Sequence, residues 1–546
     1  MNVSGKILLF VVVFSCCVAI RCGGTVYQSD GSAASVQGLQ NAVLDGDTIA
    51  LPSGAFTWAT RVSITKAVTL QGAGVGQTII RDAVQNDKLL QVTLVANKLT
   101  RITGIEFRDG GRTNVQPAPA GIIHVDGSNT DGSRFRMDHC KWNDLNGYMV
   151  TDTVIGVLDH NEVVIGNHVL EWLYPYCTRW NGANYGDGSW AAPVNWGSGD
   201  FLFIEDNTLT STNTTYEASF TDCFGGARIV ARHNTVTRGL FANHGTESPG
   251  RSRSCRAMDI YANTIDLMNV NRYVSGCRGG TILFHDNTVL HAGGAQALAT
   301  LSSFRMVGSF FPWGGADGAN GWDKNNAGNP FYAGSITSFS NGVITVYGSP
   351  GWTQNQWRGY TVKRADGAFA YIDSNGSNTL TIRQDIFGRY APFQVGDTIT
   401  INKVDQSLDQ AGAGVSTLIS GDNPTPPPGF TQGVDACYSW NNTNDGAPFN
   451  GFRAETSNIR PGVHFFANTQ KPGYTPYTYP HPLVTNGPSP GPSPSPTPET
   501  TQCSQLRQRL AQLQARQQQL KKRHRQNPRL NRQIRRLRRQ IQQQCG

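Results

Sequence analysis

Residues 201–209, FLFIEDNTL, hold the phrase that decides the fold of this 546-residue chain. The phrase returns as IGVLDHNEV (155–163), ARIVARHNTV (227–236), AMDIYANTI (257–265) and TILFHDNTV (281–289), with SRFRMDHCKW (133–142) as a looser copy. Aligned on Cys140, Asn161, Asn207, Asn234, Asn263 and Asn287, the slot three before the anchor holds Met137, Leu158, Ile204, Ala231, Ile260 and Phe284. The slots five before and two after are also apolar, except for Gly156, while the slot two before is mostly polar. Alternation repeated in register marks half-buried strands. The anchors lie 21, 46, 27, 29 and 24 residues apart, one strand phrase per unit, as in a solenoid whose units pack only on their neighbours. Length agrees, because a single hydrophobic core stops growing near ~250–300 residues. Asn at five of six anchors has a physical reason. It tolerates the left-handed backbone of a sharp turn, and stacked carboxamides can hydrogen-bond from coil to coil.

The N-terminal part reads the same way. GLQNAVLDGDTIALPSGAF (38–56) predicts a short amphipathic helix, a Gly-Asp turn, a strand and a Pro-Ser-Gly turn. VSITKAVTLQGAG (62–74) and TRITGIEFRD (100–109) add alternating strands. Leu39 to Gly54, Val68 to Gly74 and the Asn-anchored repeats resemble the pectin-lyase-like superfamily of right-handed parallel β-helices. The resemblance covers residues 25 to 310 and resumes from 405 to 485. It implies an all-β chain with a β-helix over 25–330 and its end, with a C-terminal wrap, over 405–486. It constrains the reaction less, since that superfamily holds lyases, hydrolases, esterases and inert adhesins.

Between 331 and 404 the pattern changes to antiparallel hairpins. SITSF and VITVY flank Ser340-Asn341-Gly342, and YTVKRADGAFAYI turns at Asp366-Gly367, so a small β module is expected as an insertion. Residues 487–502 form a Pro/Ser-rich linker. The tail, 503–546, has 13 Lys or Arg and no acid, so the net charge of +8 belongs to it and not to the body. An antiparallel pairing of Leu506 with Ile541, Leu510 with Leu537 and Leu513 with Ile534 brings Cys503 beside Cys545, which predicts a disulfide-stapled helical hairpin. Its Arg-rich faces suit a polyanionic envelope component, and a solvated tail without a partner is the alternative.

Residues 1–19 read as a signal peptide, with Lys6 before the apolar run Ile7–Phe14, which makes the protein secreted or surface-bound, extracellular or periplasmic. Val-Phe-Ser before Cys16 leaves a lipid anchor as a second reading. No other segment approaches ~18 apolar residues, so no transmembrane span is expected. The scattered cysteines lack the close pairs of a zinc site, and Cys255 with Cys277 is an expected disulfide across neighbouring coils.

Chemistry has three candidate places. The polar slot two before each anchor stacks Asp138, Asp159, Glu205, Arg232, Tyr261 and His285 in a column expected to face outward. Such acids can act as acid and base or hold Ca²⁺, and no metal ligands are assigned. FANHGTESPGRSRSCR adds His244, Glu247, Arg251, Arg253 and Arg256 on a loop, with Asp222 one strand earlier. Asp138-His139 and SPGRSR resemble motifs of pectate lyases, but Arg136-Met137 replaces the expected Trp-Ile and Gly250 splits the Pro–Arg pair. The long gap between repeats is aromatic: Trp172, Tyr174, Tyr176, Trp180, Tyr185, Trp190 and Trp196, with Trp313 further on, are suited to sugar stacking or to internal packing. Two functions follow. One is a secreted enzyme cleaving an acidic polysaccharide by elimination or hydrolysis, with Asp159, Glu205, Arg232, His244, Glu247 and Arg251 catalytic and Trp172, Tyr176, Trp180, Trp190, Trp196 and Trp313 binding the glycan. The other is a non-catalytic glycan-binding adhesin. No specific nucleic acid is expected.

Overall fold

A computed structural model describes residues 24–486 apart from 115–120, 129–132, 178–188, 191, 215–217, 246–252, 270–272, 294–298, 302–329, 359, 367, 385–389, 403–408, 415–432 and 455–458, together with Gln533 and Arg536. The signal peptide, the linker and the helical hairpin with Cys503 and Cys545 therefore lie outside the described residues.

The described residues from 24 to 485 are almost all β, with a short helix at Pro482–Asn486 and an N-terminal one, Ala33–Ala42, capped by the Ser32 hydroxyl accepting from Ser35 N and packing Ala33 and Val36 on the core. Strands enter three long sheets in rotation. Val154–Asp159 belongs to a first sheet of 12 strands, Glu162–Ile165 to a second of 11 and Glu171–Tyr176 to a third of 10, and Leu202–Glu205 returns to the first. Neighbouring strands pair in parallel throughout, except for the closing hairpin Thr443–Asn444 with Ala447–Pro448. This arrangement is compatible with a parallel β-helix.

Register follows the sequence alignment. Met137, Leu158, Ile204, Ala231, Ile260 and Phe284 are consecutive partners, all buried in one continuous core. Gly156 interrupts the neighbouring slot because its φ is +146° and a Cβ there would lie 2.0 Å from Phe135 O.

At the turn from the first to the second sheet the asparagines form a buried ladder. Asn161 Nδ2 donates to Asn207 Oδ1 (3.0 Å), Asn207 to Asn234 (3.0 Å), Asn234 to Asn263 (2.9 Å), Asn263 to Asn287 (2.9 Å) and Asn287 to Asn442 (2.9 Å). Each Oδ1 also accepts the backbone N–H of the preceding rung, as Asn263 Oδ1 does from Asn234 N at 2.9 Å. The left-handed conformation belongs to the residue before the anchor, not to the asparagine: His160, Asp206, His233, Ala262, Asp286 and Asn441 have φ between 52° and 56°. Asn is selected at the anchor for its carboxamide.

A second body of antiparallel strands, Tyr332 to Asn402, leaves the stack after Ala299–Leu301 and closes into a six-stranded barrel around Ile336, Ile344, Val362, Ile372, Leu380 and Ile401. Its Asn341-Gly342 turn has both residues left-handed, as a tight hairpin requires. The expected Cys255–Cys277 disulfide is not formed, and both residues are free thiols. Among the described residues no helix is long and apolar enough to cross a membrane.

Replacing Asn234 with Ala removes a carboxamide that bonds in both directions and strands buried partners. The variant should lose about 1–3 kcal/mol of stability, read as a lower thermal midpoint. An unchanged midpoint would show that the ladder does not hold the circuits in register.

Candidate functional site

Two outer faces carry chemistry-bearing side chains, and they differ in what covers them. On the first sheet, Asp138, Asp159, Glu205, Arg232, Tyr261 and His285 stack in register, as the alignment requires. They face away from the core yet are buried, with Asp159, Glu205 and Arg232 all 0% exposed. Residues 474–484 lie over them. Arg232 donates to Tyr477 O (2.8 Å) and Thr478 O (2.9 Å), His481 N donates to Glu205 Oε1 (2.9 Å), Tyr474 OH to Asp259 Oδ2 (2.6 Å) and Arg136 to Leu483 O (3.1 Å).

Beneath this strap the charges are matched pairwise. Arg101 pairs with Asp138 (2.6 Å), Arg136 with Asp159 (2.8 Å) and Arg232 with Glu205 (2.6 Å). Burial works against the Asp138 carboxylate, but Arg101, His139 and Arg136 outweigh it and hold the group below its usual range. At Glu205 burial prevails over Arg232 and raises the carboxyl. The His285 ring is stacked between Tyr261 (4.7 Å) and Trp440 (4.1 Å). Contacts of this kind close the face to a polymer.

The third sheet's outer face is different. Val150, Tyr174 and Phe224 form an apolar patch bordered by Tyr148 and Tyr176. Beside it Asp222 is the penultimate residue of the strand Ala218–Cys223, and His244 follows the strand Gly239–Asn243. His244 Nδ1 lies 3.3 Å from Asp222 Oδ2, and Arg278 reaches Asp222 Oδ1 at 3.2 Å. The His244 ring sits 6.3 Å from that of Tyr174 and 5.8 Å from that of Phe224. About a quarter of the His244 and Arg278 side chains is open to solvent, against 5% for Asp222. Burial, with the Asp222 and Glu171 charges, pushes the Tyr174 phenol well up, so it stays protonated. Glu171 is raised by burial, with Arg278 opposing. Along the same face Asp126 and Asp152 are register partners, and Asp152 is pushed up to about 6 by burial and by Asp126.

No family model, curated protein or solved structure matches the chain. What the site can do rests on its own geometry.

The structure thus separates the residues that the sequence groups. Asp159, Glu205 and Arg232 lie under the strap on the first sheet, and His244 lies on the third. Glu247, Arg251, Trp180, Tyr185 and Trp313 fall outside the described residues. Trp172 is packed into the core, and Trp190 is buried between the guanidiniums of Arg253 (5.0 Å) and Arg256 (5.3 Å). Trp196 packs on Phe201 (5.8 Å), and Tyr176 borders the third-sheet patch. Sequence reasoning passed over Tyr148, Glu171, Arg278, Asp126 and Asp152. Their strands lack an Asn anchor, although an acid closes IHVD (123–126) and MVTD (149–152) alike. Among the described residues no group of His, Cys, Asp and Glu is arranged to hold a metal ion.

The strap carries its own pH dependence. Burial, helped by Arg232, pushes His481 down to about 4, whereas a released segment protonates near 6.5. Its contribution to stability is complete above pH 6.5 and is lost as pH falls towards 4. The difference in thermal midpoint between wild type and His481→Asn should therefore narrow over that window. A constant difference from pH 7 to 4 would contradict this linkage.

Proposed function

We propose that the protein is a right-handed parallel β-helix of the pectin-lyase-like kind, exported from the cell, that cleaves an acidic polysaccharide on the outer face of its third sheet. The observation that carries the reading is the meeting of Asp222, His244 and Arg278 beside the Tyr174 ring. The Asp222 carboxylate, 3.3 Å from Nδ1, favours through its charge the His244 tautomer whose Nε2 is basic. Arg278 supplies a cation for a sugar carboxylate, which acidifies the adjacent C–H as negative charge develops. His244 then takes that proton, the neighbouring C–O bond breaks, and the protonated Tyr174 phenol gives its hydrogen to the leaving oxygen. The half-buried rings of Tyr148 and Tyr176 would offer apolar surface to a sugar ring. The basic tail would hold the protein to a polyanionic envelope component.

A panel of acidic polysaccharides mixed with the full-length protein, with and without Ca²⁺, tests the reading through release of unsaturated uronate. His244→Ala should lower turnover about 10²–10⁴-fold, and Arg278→Met should chiefly weaken substrate capture. Retention of a glycan on an affinity gel without any cleavage would move the reading to a non-catalytic surface adhesin. Neither cleavage nor retention of any acidic glycan would sink both.

A further inference from the structure

Four buried cysteines gather where the third sheet turns into the first, and the chain brings them together two by two. Cys223, Cys255, Cys277 and Cys437 are all 0% exposed and belong to one apolar core. An antiparallel bridge between Phe224 and Ser254 sets Cys223 opposite Cys255, and the Cys437 and Cys277 thiols act on each other electrostatically. Backbone geometry explains the first pair: His244 N donates to Cys223 O (2.9 Å) and Cys255 N donates to His244 O (3.2 Å), so the two cysteines flank one residue. In the second pair both sulfurs rest on one turn, Cys277 Sγ at 3.4 Å from Gly279 O and Cys437 Sγ at 4.0 Å from Gly280 O.

We propose that Cys223 with Cys255 and Cys277 with Cys437 are two dithiol pairs that become disulfides when the chain folds in the presence of a disulfide oxidant. In each pair one S–S bond forms, and the two electrons and two protons released reduce the oxidant, for example oxidised glutathione, to two thiols. Bonding needs the sulfurs of each pair to approach to ~2.05 Å by side-chain rotation.

The places are informative. Cys223 follows Asp222 directly, and Cys255 ends the loop that starts at His244, so the first staple fixes both ends of the segment beside the candidate site. Cys277 ends a third-sheet strand three strands before the barrel departs, and Cys437 opens the first-sheet strand after it returns, so the second staple links strands on either side of the insertion. Burial raises the Cys223 and Cys437 thiols, leaving little thiolate in the folded protein. Oxidation therefore belongs to folding, and the finished bonds resist reductants. The proposal does not depend on the glycan reading.

Full-length protein refolded in a glutathione redox buffer, alkylated under denaturing conditions and digested without reduction provides the test. Peptides joining 223 to 255 and 277 to 437 are expected, the two links accounting for about 4 Da of the mass lost relative to the reduced chain, and reduction before refolding should lower the thermal midpoint. Alkylation of all four residues without prior reduction, a 255–277 link, or a metal ion retained on the thiols in the native mass would overturn the proposal. Should single variants fail to fold, Cys223→Ala with Cys255→Ala removes one staple as a unit. That variant should keep the 277–437 peptide, and scrambled links in it would count against the pairing.

Discussion

A buried carboxamide that must find both a donor and an acceptor is the constraint on which the rest of this structure depends. Each asparagine of the ladder takes an N–H from one neighbouring circuit and gives its own to the other. A one-residue slip anywhere would leave polar atoms unpaired in an apolar core, at a cost of several times the net value of one hydrogen bond. Hydrophobic burial alone is tolerant of small shifts, whereas the ladder is not. It therefore fixes the register of the first sheet, and through the short turns that of the other two.

Once register is fixed, outward side chains become vertical neighbours whatever their separation in sequence. The first and third sheets use that property in opposite ways. On the first sheet, acids and arginines from successive circuits are paired and sealed under residues 474–484, where the protein interior strengthens each attraction and makes an unmatched charge costly. On the third, His244 and Arg278 are only partly covered above a buried Asp222, and raised carboxyls and phenols lie near them. Charge on the first face holds the strap, while on the third it is shared among Asp222, His244 and Arg278.

Much of this was legible in sequence, and what was not has identifiable causes. The inward slots and the ladder from Asn161 to Asn287 follow from period-two alternation and one repeated residue. Asn442, the next rung, was hidden because a whole barrel intervenes between consecutive circuits. The left-handed residue was misplaced by one because both Asn and its predecessor suit such a turn. Burial of the outward column could not be read locally, since the covering segment comes nearly two hundred residues after His285. The third-sheet site was half visible through Asp222 and His244. Arg278 follows a strand without an anchor, and nothing in the sequence showed that the acidic column and the His244 loop belong to different faces.

The strap also orders events during synthesis. The first sheet can assemble circuit by circuit as the chain leaves the ribosome, but its outer charges stay in water until residue 484 has been made. A nascent chain halted before Tyr474 would carry a complete core and a bare, polar flank. The last stretch of the body, short as it is, decides when that flank becomes dry and when the molecule acquires its final surface.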